Sequence, residues 1–125
     1  MKRVHTWLGV ALASAAAVGA TPALSHHSFA MFDSQKEVTL TGTVKEFQWT
    51  NPHSWLQLQV PRGNATVEYS LELGSPNTMS RRGWRRTTFR PGDRVTVVMN
   101  PMRDGSAGGA LVSAVDARGN KLSMR

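Results

Sequence analysis

The sequence has no cysteine. Disulfides, thiolate metal centres, cysteine nucleophiles and a lipid-modified cysteine anchor are all excluded. Acidic residues are scarce, 8 against 15 Lys and Arg, and no spacing among them singles out a catalytic carboxylate pair. There is no Gly-x-Ser-x-Gly elbow, no His-Glu-x-x-His, no Walker loop and no dinucleotide fingerprint. Internal repeats and a linker between domains are absent too, and the composition is not that of a collagen, a coiled coil or a low-complexity chain. What is present is a basic chain of 125 residues with a net charge of +7, enough for one small domain.

The first 25 residues read as a secretory signal peptide. Lys2, Arg3 and His5 precede an apolar stretch from Trp7 to Ala20, which falls short of the about 20 apolar residues a membrane helix needs. Pro22 breaks it, and Ala23-Leu24-Ser25 sets small side chains for cleavage before His26, the first choice; Thr21-Pro22-Ala23 also fits, giving a start at Leu24. Removing residues 1–25 leaves 100 residues with 13 basic and 8 acidic side chains. The expected product is periplasmic or secreted, with no transmembrane anchor after cleavage. Without disulfides it must be held by packing alone.

Residues 26–36 lack periodicity and read as an arm; residues 37–125 read as a barrel. Val38, Leu40 and Val44 alternate around Gly42, and Phe47 and Trp49 then switch parity, which predicts a bent or bulged strand. Leu56, Leu58 and Val60 form a second strand, Pro61 to Asn64 a turn, and Val67, Tyr69, Leu71 and Leu73 the inner face of a third. Ser75 as N-cap, Pro76 at the first helical position and Gly83 as the stop predict a short helix over 76–82. Strands follow over 94–100, 110–117 and 121–124, with a loop over 101–109 carrying Asp104-Gly105 and Gly108-Gly109. Three strands, a helix and two further strands is the order of an OB-fold, so the predicted class is all-β with one short helix, a five- to six-stranded OB-fold-like barrel. Another small barrel or sandwich is the competing reading.

After cleavage, His26, His27 and His53 are the imidazoles that remain. A free α-amine and a histidine ring at the chain start can chelate a transition metal, and a second imidazole completes a three-nitrogen set suited to Cu(II). A start at Leu24 places His26 third, which suits a square-planar amino-terminal copper or nickel site. His53 follows Pro52, which fixes the local backbone. An arm crossing that face would bring His26 or His27 beside it. Asp33, Met31 and Met102 are further donors in reach of this scheme. The opposing reading is that the paired histidines are only solvated and His53 caps a turn.

A second constellation is Arg81, Arg82, Arg85, Arg86, Arg90 and Arg94, interleaved with Trp84 and Phe89. In a cytosolic barrel it would suggest single-stranded nucleic acid. Export points instead to an anionic envelope ligand or a partner protein, with Trp84, Arg85 and Arg86 as the contact surface and no nucleic acid expected. The opposing reading has the arginine stems covering apolar surface, with their heads paired to Glu68, Glu72 or Asp93.

Several short motifs run along the chain in order. They are His26-His27-Ser28-Phe29, Phe32-Asp33, Thr41-Gly42-Thr43-Val44, Asn51-Pro52-His53, Gly83-Trp84, Pro91-Gly92-Asp93 and Asn100-Pro101-Met102-Arg103-Asp104-Gly105. Together they resemble a family of small exported bacterial proteins with a domain of unknown function, across essentially the whole mature chain. The resemblance implies a periplasmic or secreted barrel and no established reaction. His26, His27 and His53 are motif positions in it, not known ligands. Ser25 departs from the more usual alanine, which leaves the mature start open. The sequence thus points first to a non-catalytic copper-binding module. Second is a metal-free barrel binding an anionic ligand or partner, and third a mononuclear copper oxidase-like enzyme for which no substrate groove is legible.

Overall fold

The computed structural model of the chain describes residues 29–125. Residues 1–25, read from the sequence as a signal peptide, and His26 and His27 lie outside the described residues. After a single 3-10 turn, Phe29–Met31, the elements are β1 Val38–Gln48, β2 Trp55–Arg62, β3 Ala65–Glu72, α1 Pro76–Arg81, β4 Arg94–Pro101, β5 Gly108–Asp116 and β6 Lys121–Ser123. The sheet order is β3-β2-β1-β4-β5-β6, and a parallel pairing of β3 with β5 closes the first five strands into a barrel. With the helix between β3 and β4 this is the OB-fold arrangement, carrying β6 as an extra edge strand.

The expected kink in β1 is present as a register shift between Val44 and Glu46 against β2. Lys45 is the extra residue, so Val44 enters the core at 2% exposure and Phe47 still packs against it. Gly42 lets β1 cross β2 closely, because a Cβ there would collide with the Gln59 carbonyl oxygen. The β2–β3 hairpin turns on Gly63, at φ +60, and Asn64. That two-residue loop fixes the register from Arg62 opposite Ala65 back to Trp55 opposite Glu72.

The helix begins as the sequence predicts, with Ser75 Oγ accepting from the Thr78 N–H at 3.3 Å. It stops through a Schellman arrangement: Gly83 N–H donates to Ser80 O at 3.2 Å and Trp84 N–H to Met79 O at 3.1 Å. This motif packs the residue after the glycine against the last turn, and both Met79 and Trp84 are fully buried.

The fifth strand starts two residues earlier than the sequence suggests. Gly108 and Gly109, read as part of a loop, lie within β5 opposite Ser70 and Leu71. Their missing side chains are used for close passage. A Cβ on Gly108 would stand 2.9 Å from the Ser70 carbonyl oxygen, and one on Gly109 would strike the Asn100 carbonyl.

Candidate functional site

The expected metal-site residue His53 is half-buried and paired. Its Nδ1 lies 2.7 Å from Oε1 of Glu72 and 3.3 Å from the carbonyl oxygen of Leu73. A carbonyl only accepts, so Nδ1 carries a proton that it directs at these two oxygens. The backbone beside the ring is pinned: Ser54 N–H donates to Gly74 O at 3.0 Å and Leu73 N–H to Ser54 O at 2.9 Å. Thr50 Oγ1 donates to the His53 carbonyl at 2.7 Å. His53 therefore projects from a braced end of the β2–β3 hairpin, not from a free loop.

Glu72 is the functional candidate that sequence reasoning passed over. It alternates with the core residues Leu71 and Leu73, so it faces away from the barrel interior, yet it is buried at 7% exposure. Oε1 accepts from His53; Oε2 is buried with no hydrogen-bond partner among the described residues. The arm reaches the clefts that Glu72 lines. Phe32 pairs with Met102 as an isolated antiparallel bridge, flanked by Asp33 N–H donating to Pro101 O at 2.8 Å and Arg103 N–H to Met31 O at 2.9 Å. In such a bridge the two side chains lie on one side, and Phe32 is 6% exposed.

Two clefts meet at Phe32 and Glu72. One, of about 300 Å³, adds His53, Gly74, Asn100 and Arg125 to its wall; the other, of about 250 Å³, adds Met31, Trp55, Ser70 and Met102. The expected further donors are thus split. Met31 and Met102 line the second cleft, whereas Asp33 is spent on fastening the arm. Its carboxylate pairs with Lys36 at 3.2 Å and accepts from the Gln35 N–H at 3.2 Å, with Arg103 3.8 Å away. The Lys36 contact, helped by the Gln35 N–H and the Arg103 charge, holds the Asp33 carboxyl below its ordinary value. Asn100 completes the fastening by donating to the Lys36 carbonyl at 2.7 Å.

The arginine surface needs correction at one residue. Trp84 is not a contact residue: it is 0% exposed, stacks edge-on with Phe89 at 6.0 Å, and donates its indole N–H to Ser123 O at 3.2 Å. The Schellman turn and the strand that supplies Ser123 carry it inward. All six arginines are exposed. The pairing expected with Glu68, Glu72 and Asp93 side chains is not formed: Glu68 takes Lys45 at 2.7 Å, Glu72 takes His53, and Asp93 accepts the Arg90 backbone N–H at 2.9 Å. Arg85 instead turns back onto the Ser80 and Trp84 carbonyls at 3.0 and 2.8 Å.

Among the described residues no group of three or more His, Asp, Glu or Cys is arranged to hold a metal ion. No described helix is long and apolar enough to cross a membrane. Among solved structures, Rim1, a mitochondrial single-stranded DNA binding protein from S. cerevisiae, is similar to this chain at 12% identity with a TM-score of 0.49. The match covers 68% of this chain and 97% of Rim1. No curated protein matches the sequence. A family model does match, over residues 11–112, and the chain belongs to that family of unknown function, DUF6152.

Proposed function

We propose that the chain is an exported, non-catalytic binding module that holds copper between its mature amino-terminal histidines and His53. The observation that carries this reading is the Nδ1 contact of 2.7 Å to Glu72, seconded by the Leu73 carbonyl. A histidine whose Nδ1–H is held by a carboxylate presents Nε2 in a fixed orientation with raised basicity, the usual outer-sphere arrangement behind a metal-ligating imidazole. The fastening of residues 30–36 supports it as well, because it sets Phe32 at the cleft that His53 lines. His27 is five residues ahead of Phe32, a reach of at most about 17 Å. The donor set is all nitrogen with no thiolate, which favours Cu(II). Since His53 is the one imidazole among the described residues, His26 and His27 must supply the rest of the set.

The test is a Cu(II) titration of the cleaved protein, followed by electron spin resonance. Affinity should fall at least tenfold in His53→Ala and again when one residue is added ahead of the mature terminus. Equal, micromolar-or-weaker binding in all three forms leaves only adventitious histidine coordination and refutes the reading.

A second reading has its own observation. Arg81, Arg82, Arg85, Arg86, Arg90 and Arg94 are exposed, and among the described residues none forms an ion pair. That is a surface for an anionic envelope ligand or an acidic partner, now resting on Arg85 and Arg86 without Trp84. Capture of an envelope component that is lost at raised salt and in the Arg85→Glu, Arg86→Glu double variant supports it. Unchanged capture by the double variant refutes it.

A further inference from the structure

The second cleft shares Glu72 with the copper reading and adds Trp55, Met31 and Met102. Trp55 is the direct cross-strand neighbour of Glu72, so the indole and the carboxylate sit side by side on the outer face of the barrel. Met102 and Met31 close the cleft from the bridge and from the arm. Glu72 lines this cleft as well, and its buried Oε2 has no hydrogen-bond partner among the described residues. His53 satisfies Oε1 alone. Of the hydroxyls lining the cleft, Ser106 Oγ is already committed to Asp104 at 2.6 Å. What is missing is an N–H donor with positive charge on an apolar body.

We propose that the cleft bounded by Met31, Trp55, Met102 and Glu72 binds a small organic ammonium. Its charged head donates to Oε2 of Glu72 while its alkyl body lies against the Trp55 indole and the two thioethers. An aromatic face beside a carboxylate is the arrangement that recognises organic cations, the ring quadrupole adding to the ion pair. The volume of about 250 Å³ admits a ligand of a few carbon atoms and no more. Met31 is the wall that yields on entry: it is 39% exposed and its unbranched thioether repacks readily.

The experiment uses three probes of one shape, butylammonium, butan-1-ol and butyrate, titrated into the purified protein at pH 8 and followed by NMR shifts of the Trp55 indole and Met102 methyl. Butylammonium should bind at least tenfold more tightly than either analogue. Glu72→Gln, which keeps an acceptor for His53 Nδ1, should remove that preference, and Trp55→Leu should weaken butylammonium several-fold. Equal binding of butan-1-ol, or an unaltered preference in Glu72→Gln, overturns the proposal. Trp55→Leu leaves His53 and the amino terminus intact, so its Cu(II) titration separates failure here from failure of the copper reading.

Discussion

Trp55 and Glu72 are partners in the β2–β3 ladder, on the face turned away from the barrel interior, yet Glu72 is only 7% exposed. This outward-facing carboxylate is buried beside the clefts that Phe32, carried by the arm and bridged to Met102, also lines. The site is therefore assembled from a hairpin end and a docked segment some forty residues away in sequence, on the order set by the chain's own topology. Its electrostatics depend on that docking.

If the Glu72 carboxylate is buried at the cost of one donor, removing the donor should be felt. His53→Ala should destabilise the fold by about 1–3 kcal/mol, the cost of leaving a buried acceptor unmade. Adding Glu72→Gln in that background should recover part of the loss, since a neutral amide is cheaper to bury than a charge. Denaturant unfolding of the two single variants and the double variant measures the coupling. Strictly additive effects would show that the two side chains do not act as a pair.

The arm should loosen in acid. Asp33 is held below its ordinary value of 3.8 in the folded protein, chiefly by Lys36. Its contribution is therefore complete above that value and is lost as the pH falls through the lower, folded-state value. The Met102 methyl resonance, set by Phe32, should drift toward its undocked position over that acid range. In Asp33→Asn the drift should already be partly present at neutral pH. A Met102 signal indifferent to both changes would contradict the role given to Asp33.

Trp84 and Arg86 are two residues apart in sequence and opposite in consequence. Trp84→Ala should cost about 3–5 kcal/mol, as expected for emptying a fully buried aromatic site. Arg86→Ala, exposed and without an ion pair among the described residues, should stay within about 0.5 kcal/mol. Thermal unfolding distinguishes the two directly.

Gly109→Ala should destabilise by about 1–3 kcal/mol through overpacking, because the added methyl meets the Asn100 carbonyl and comes 2.8 Å from the Met99 sulfur. Gly92 has nothing within 4 Å of the corresponding position but a φ of +94, so Gly92→Ala tests backbone strain without crowding. Unfolding free energies of the two variants separate close passage from conformation.

Much of the barrel was legible because its signals are local. Alternation at Leu56 to Val60, the turn signal at Pro61 to Asn64, whose first two residues prove to extend β2, and the Ser75-Pro76 cap each report a neighbour or near neighbour in sequence. The parity switch after Val44 even marked the bulge. Glu72 was not legible in that way: alternation assigns it to solvent, and its burial shows only in the folded chain. One signal was available, since a two-residue turn at Gly63-Asn64 fixes Trp55 opposite Glu72 and sets His53 near the same hairpin end. Gly108-Gly109 misled for a related reason. Glycine marks turns and close approaches alike, and the deciding contacts, to Ser70 and Asn100, come from other strands. Trp84 looked like a surface aromatic among arginines because the Schellman turn that buries it is visible only once the helix end is known.

The most direct test of the copper proposal is the nitrogen coupling seen by electron spin resonance in the Cu(II)-loaded, cleaved protein, with and without ¹⁵N in its histidines. The account predicts coupling from three nitrogens, one of them lost in His53→Ala while the Nδ1–H of His53 stays protonated in the parent. An identical spectrum in His53→Ala would remove His53 from the metal and contradict it.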